Sequence, residues 1–240
     1  MKALKIDSIK LSILILILFL SKSVFAEEKD LYKYLWLDPD KSVYVLQNKL
    51  YEKKNTFYAD VGFLKGLSSE FQSTRGAQLR VGYYFHEEWA IELMGNIYQN
   101  SDNDTFKNLT ALNDSVPFTE KLERSYGALA VWSPFYGKIN TFNKIYYFDW
   151  SFGLGLGQVE LKTNADTVAS SATANEFNKK KTMAIMGKSL LRFHINEKWH
   201  VGLEYLNTSY ESAGPKLSTG TQTEKWRSNS DVIFSVGFSF

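Results

Sequence analysis

The sequence predicts an all-β fold: an eight-stranded antiparallel up-and-down transmembrane β-barrel preceded by a short N-terminal periplasmic segment. Three observations predict it. From residue 56 onward, apolar and polar residues alternate in eight stretches. That is the period of strands with one apolar face, and roughly ten residues is the length that crosses a bilayer at a tilt of about 45°. The connections between stretches fall into a short class and a long, polar class, as the two ends of a transmembrane barrel require. Beyond the first 26 residues there is no long apolar run, so any membrane crossing must be made by strands.

The N-terminus sets the compartment. Lys2, Lys5 and Lys10 precede the apolar run "LSILILILFL" at 11–20, and "SVFA" ends at Ala26. This is the plan of a secretory signal peptide over 1–26, cleaved after Ala26; the run is too short to span about 30 Å of hydrocarbon. Removing it takes away four lysines and Asp7, which moves the net charge from +2 to −1. The remaining 214 residues suit one domain and lack the basic patch a nucleic-acid partner would need. There is no cysteine, hence no disulfide, thiol nucleophile or lipidated cysteine.

The strands follow in order. Phe57, Ala59, Val61 and Phe63 share one face and Tyr58, Asp60 and Gly62 the other. Ala77, Leu79, Val81, Tyr83 and Phe85 oppose Gln78, Arg80, Gly82 and Tyr84; Trp89, Ile91, Leu93 and Ile97 oppose Glu92 and Asn96. "YGALAVW" at 126–132 is weaker, being apolar or small on both faces. Tyr146, Phe148, Trp150, Phe152, Leu154 and Leu156 oppose Asp149, Ser151 and three glycines. Met183, Ile185, Leu191 and Phe193 oppose Lys188 and Arg192; Trp199, Val201, Leu203 and Tyr205 oppose His200 and Glu204. The last strand sets Val232, Phe234, Val236, Phe238 and Phe240 against Ile233, Ser235, Gly237 and Ser239.

Short turns are expected at 86–88 and 196–198, with a connection of ten residues over 135–144 at the same end. Long polar loops are expected over 67–74, 99–122, 162–181 and 211–225. An even strand number puts both barrel termini on the short-turn side. Alternation is equally compatible with a soluble, lipocalin-like barrel whose apolar face points inward. Aromatics favour the membrane. Phe57, Phe85, Trp89, Trp132, Tyr146, Phe193, Trp199 and Phe240 recur at the short-turn end, as a periplasmic interfacial girdle does. The opposite face is also too charged and glycine-rich to be a soluble protein's whole exterior.

The closing strand "SVGFSF" carries a family resemblance. Ser235, Gly237, Phe238 and Phe240 match the polar-x-Gly-x-aromatic-x-aromatic ending of small bacterial outer-membrane β-barrels. The chain, over about 43–240, resembles the OmpA transmembrane domain and OmpX kind, and within it the outer membrane beta-barrel domain proteins with an added N-terminal segment. The resemblance implies location in the bacterial outer membrane. It also implies that these four residues are an assembly signal, read by the barrel-assembly machinery during insertion with Phe240 as its key residue. Filling the lipid-facing girdle is a second role for Phe240.

Eight strands enclose a space that side chains fill. The expected lumen residues Asp60, Arg80, Glu92, Asp149, Lys188, Arg192 and Glu204 should therefore pair, because lone charges there are costly. Matched heights put Arg80 near Asp60 and Glu92, and Lys188 near Glu204. A structural plug of ion pairs is one reading; a gate of switching pairs in a narrow channel for ions or small solutes is the alternative. An outer-membrane lipid-modifying enzyme is the third, but His86, His194 and His200 all fall beside short turns, away from the outer side where the resemblance would place catalysis. No catalytic residue, cofactor or metal site is expected. "GLGLG" at 153–157 lacks the spacing and following helix of a nucleotide loop and reads as bare lumen-side backbone making room for large residues. "SDNDT" at 101–105 lacks the glycine and distal Glu of a calcium loop and reads as a solvated loop.

The segment 27–55 is expected in the periplasm, ahead of the barrel at 56–240. Its Tyr34, Leu35, Trp36 and Tyr44 expose apolar surface that would pack against the barrel mouth or dock another periplasmic or outer-membrane protein. The sequence thus points to an envelope anchor, scaffold or interaction platform in contact with outer-membrane lipids.

Overall fold

The computed structural model describes residues 50–113, 116–141, 144–166, 168, 176–215 and 221–240. The chain divides into the units Met1–Asn48 and Lys49–Phe240, and every described residue belongs to the second. The expected signal peptide and Tyr34, Leu35, Trp36 and Tyr44 lie outside the described residues.

Eight strands form one sheet: β1 (Thr56–Gly66), β2 (Gln72–Tyr84), β3 (Trp89–Asp102), β4 (Glu120–Thr141), β5 (Lys144–Thr163), β6 (Asn178–His194), β7 (Trp199–Ala213) and β8 (Glu224–Ser239). Each pairs antiparallel with the next, and β8 returns to β1 to close the barrel. The closing register runs from Tyr58 opposite Ser239 to Gly66 opposite Asp231. Below it, Phe57 and Phe240 exchange two backbone hydrogen bonds of 2.9 Å each, and their rings stack at 6.0 Å. The terminal aromatic thus completes the last hydrogen-bonded pair of the closed sheet.

The alternation in sequence is the alternation in space. Val61, Leu93 and Leu154 point outward at 64%, 61% and 66% exposure, while Arg80, Glu92 and Glu204 point inward at 0%. More buried residues are polar or charged than apolar, the reverse of a water-soluble core. The lipocalin-like alternative is excluded by this orientation.

Three expectations need correction. The strands run from 11 to 22 residues rather than about ten. The connection expected over 135–144 is largely strand: β4 and β5 continue pairing as far as Thr141 opposite Lys144. This hairpin overshoots the barrel, since β3 last pairs with β4 at Trp132 and β6 last pairs with β5 at Tyr147. A register shift between Trp132 and Phe135 marks where it departs. Pro134 falls there and offers no N–H to a ladder, which suits a bulge. Ile139 opposite Tyr146, together with Ile145, then supplies the β-forming side chains that extend the hairpin.

The third correction is in the loop expected over 99–122. β3 persists to Asp102, and a helix, α1 (Asp104–Asn113), follows. "SDNDT" is therefore a strand end and a helix start. Asn103 caps α1 by accepting a hydrogen bond from Phe106 N at 3.0 Å, and Asp102 pairs with Lys121 at 2.9 Å.

Candidate functional site

Among the described residues, strand geometry concentrates ionisable groups away from water in the lumen, which is built in tiers along the strands. At the short-turn mouth the chain entering β1 folds across the opening. The N–H groups of Lys53 and Lys54 donate to the Glu87 carboxylate in the β2–β3 turn at 3.1 Å. Asn55, with φ of 62°, makes the sharp entry into β1 that asparagine tolerates. This directs Lys53 inward, where its ammonium lies 3.0 Å from Asp149. Asp149 also lies 2.8 Å from His194 Nε2, and the Tyr51 ring stacks on that imidazole at 4.8 Å.

One turn deeper, the Arg192 guanidinium lies 4.5 Å from the Tyr58 ring centre and 5.9 Å from that of Tyr84, a cation–π arrangement that favours a desolvated cation. Asp60 is met from three sides: Oδ1 forms an ion pair with Arg80 at 3.1 Å and a hydrogen bond with His200 Nε2 at 3.0 Å, and Oδ2 faces the Arg192 guanidinium at 4.0 Å. Arg80 is the hub. It pairs with Glu204 across the barrel and donates through Nη2 to Ser235 at 3.1 Å. Glu204 also accepts from Gln78 Nε2 at 2.9 Å and faces Lys188 at 3.5 Å. Lys188 pairs with Glu92, whose other oxygen accepts from Tyr58 OH at 2.6 Å.

The tier is electrically balanced. Lys53, Arg80, Lys188 and Arg192 are matched by Asp60, Glu92, Asp149 and Glu204, all buried. Buried Leu64, Met94, Leu129, Met186, Leu206 and Ile233 belong to an apolar cluster that adjoins it, with Leu129 opposite Glu92, Leu206 opposite Lys188 and Ile233 opposite Glu204 in register. Asn96, Ser125, Tyr98 and Asp231 follow; Asp231 Oδ2 accepts from Tyr98 OH at 3.0 Å and from Asn229 Nδ2 at 2.8 Å. At the long-loop mouth a cavity of about 510 Å³ is lined by Ser68, Phe71, Phe118, Glu120, Tyr210 and Arg227. There Arg227 pairs with Glu120 at 2.9 Å while stacking over Phe118. Burial raises the Glu120 carboxyl above its ordinary range, with Ser212 and Arg227 acting against the shift.

All seven expected lumen residues face inward in one network, though not with all the expected partners. Arg80 meets Asp60, but Glu92 is taken by Lys188 and Tyr58 instead, because Arg80 reaches across the barrel to Glu204. Lys188 touches Glu204 as well. The alternation places Tyr58, Gln78, Tyr84 and His200 on the polar face of their strands, but sequence reasoning did not name them as partners of the lumen charges. It also left out Lys53, for which no local signal exists, since the inward turn depends on the Glu87 contact.

The closing-strand residues have visible packing roles. Ser235 binds Arg80. Gly237 lies where a Cβ would collide with both His200 Nε2 and Asp60 Oδ1, so only glycine leaves room for that pair. In "GLGLG", a Cβ on Gly153 would press on the Lys188 stem. Phe238 meets Trp199 edge-on at 5.1 Å. Among the expected girdle residues, Trp89 and Trp132 stack at 6.0 Å, and Phe193 lies 5.9 Å from Phe148, which was not among them. Phe85 is exposed beside the β2–β3 turn, and Tyr146 lies on the overshooting hairpin beyond the last β5–β6 pair.

One constellation bears on the enzyme reading. Ser239 Oγ lies 3.5 Å from His200 Nδ1, whose other nitrogen meets Asp60. The serine–imidazole distance is at the limit of a hydrogen bond, and Asp60 is already engaged by two guanidinium groups, so the arrangement does not activate a nucleophile. Among the described residues, no cluster of three or more His, Asp or Glu is placed to hold a metal ion.

No protein-family model matches the chain, and no curated protein matches it by sequence. Solved structures similar to it are small outer-membrane β-barrels. OprG from Pseudomonas aeruginosa has 15% identity, with 79% of this chain and 98% of that chain covered and a TM-score of 0.48. The N-terminal β-barrel domain of Pseudomonas aeruginosa OprF has 9% identity, 78% and 98% coverage and a TM-score of 0.46. Neisserial surface protein A has 13% identity, 77% and 96% coverage and a TM-score of 0.45. The likeness at these identities is one of fold.

Proposed function

We propose that this protein is an integral β-barrel of the bacterial outer membrane, serving as a structural anchor, scaffold or interaction platform of the envelope with its lumen plugged. The observation that carries the proposal is the inverted distribution of polarity: a charge-balanced buried network inside a continuous apolar skin. Such a skin is costly in water and is satisfied by lipid tails. The same network occupies the path a solute would need. In this reading the short turns and both barrel termini face the periplasm, and the long loops face outward. Ser235, Gly237, Phe238 and Phe240 serve the barrel-assembly machinery as well as the packing described above. The interaction role draws on the overshooting β4–β5 hairpin, which exposes Phe135, Ile139 and Ile145 at the short-turn end, and on Tyr34, Leu35, Trp36 and Tyr44 as docking residues for another envelope protein.

Purified, refolded protein in planar lipid bilayers tests this directly. A plugged barrel inserts without conductance steps. Sustained steps that change on Lys188→Ala would instead establish the narrow channel.

A further inference from the structure

We propose that the outward faces of β1 and β2 at the long-loop rim bind the phosphate of a lipid headgroup through Lys65 and Arg75. The inference rests on the membrane reading above. Lys65 and Arg75 lie directly opposite one another across the β1–β2 ladder, both exposed and both facing out. Like charges at directly paired positions repel. No carboxylate among the described residues forms an ion pair with either. Lys65 Nζ has only the Ser73 hydroxyl, at 3.2 Å.

The rest of the rim is arranged differently. Around β4 to β6 the outward cations have acids: Lys162 and Lys179 meet Glu123, Lys181 meets Glu160, and Arg124 lies opposite Glu160 in register. Lys162 lies opposite both Lys121 and Lys179 in register, but Lys121 has Asp102 and the other two share Glu123; among the described residues, Lys65 and Arg75 are a facing cation pair with no such acid. Its neighbours on the outer face are uncharged: Val232 opposite Lys65 on β8, and Gln99 opposite Arg75 on β3.

Position then selects the anion. Two residues down each strand, on the same face, lie Phe63 and Ala77, followed by Val61 and Leu79, the beginning of the apolar skin. The cations therefore stand where hydrocarbon gives way to headgroups. A phosphate there relieves the repulsion between them, with the guanidinium giving paired donors, the ammonium a point charge and the Ser73 hydroxyl a further donor. A phosphate attached to lipid is held at this height at the high local concentration of the bilayer, whereas free phosphate must be drawn from dilute solution.

The test uses full-length mature protein in nanodiscs of phosphatidylcholine with and without phosphatidic acid, and native mass spectrometry of the lipids it retains. Wild type should retain phosphatidic acid over phosphatidylcholine. Lys65→Gln and Arg75→Gln should each weaken that preference roughly fivefold, and the double variant about 25-fold, as for one cation at a membrane surface. Lys162→Gln, at a paired rim site, should leave it nearly unchanged. Equal retention by wild type and the double variant overturns the proposal, as does displacement of the lipid by millimolar inorganic phosphate, which would make this a free-anion site. Failure of wild type to enter nanodiscs at all would refute the membrane reading itself; insertion without preference refutes only the present inference.

Discussion

Arg80→Met is the sharpest test of the lumen network. The substitution keeps most of the side-chain volume and removes one charge from a balanced set. At 3.1 Å, the Arg80–Asp60 attraction is about 5 kcal/mol at an effective dielectric of about 20, and desolvation of the guanidinium offsets part of it. Some compensation remains: Arg192 stands 4.0 Å from Asp60 and Lys188 3.5 Å from Glu204. The net loss should fall at roughly 3–5 kcal/mol, the range for a buried pair broken by removing one partner. Urea unfolding in phospholipid vesicles, followed by tryptophan fluorescence and the gel shift between folded and heated forms, reads it out. Adding Glu204→Gln removes a carboxylate that Arg80 no longer neutralises. The double variant should therefore recover at least about 1 kcal/mol relative to additivity. A loss under about 1 kcal/mol for Arg80→Met, or strict additivity in the double variant, would refute the claim that these charges are coupled.

Three other outcomes follow from particular contacts. Gly237→Ala places a methyl against His200 and Asp60 and should cost roughly 1–3 kcal/mol by overpacking in the same unfolding assay; an unchanged midpoint would leave the glycine to assembly alone. Leu93→Arg, in the middle of the outward face of β3, should destabilise by roughly 2–4 kcal/mol in vesicles, and a neutral effect there would contradict lipid contact. Lys53→Met strands Asp149 beside His194 and should cost about 3 kcal/mol. It should produce no current in planar bilayers, because the Arg80–Glu204 and Lys188–Glu92 pairs still fill the lumen.

The fold was legible because a barrel's pattern is local: each strand repeats inside and outside with period two, so Asp60, Arg80, Glu92 and Glu204 declare their side without reference to other strands. Partner choice was not legible. Matched heights give the cross-strand neighbour, as for Arg80 and Asp60. Long side chains in a narrow lumen, however, reach across to strands that are far away in the sheet, as Arg80 does to Glu204 and Lys188 to Glu92. The β4–β5 hairpin was misread as a connection because "FYGKINTFNK" mixes turn residues with strand formers, and only pairing between Ile139 and Tyr146 decides in favour of strand. α1 was hidden because the turn-forming Ser101–Asp104 run precedes it and its short apolar row, Phe106, Leu109 and Leu112, is set among Lys107, Asn108 and Thr110. Lys53 escaped because its place is set by backbone capture at Glu87, a contact that no spacing in 50–55 announces.

A barrel with lipid outside has its outward side chains in hydrocarbon and its lumen packed and dry. The absence of native cysteine makes one labelling experiment on single-cysteine variants in vesicles decisive. Leu79→Cys, Leu93→Cys and Phe234→Cys probe the outward face; Ser151→Cys and Ser235→Cys probe the lumen. The outward cysteines should react only with a lipid-soluble maleimide, and the lumen cysteines with neither that reagent nor a membrane-impermeant one. Rapid impermeant labelling of Ser151→Cys and Ser235→Cys in the folded protein would show an open aqueous pore, and the same labelling of the outward set would place that face in water; either would contradict this arrangement.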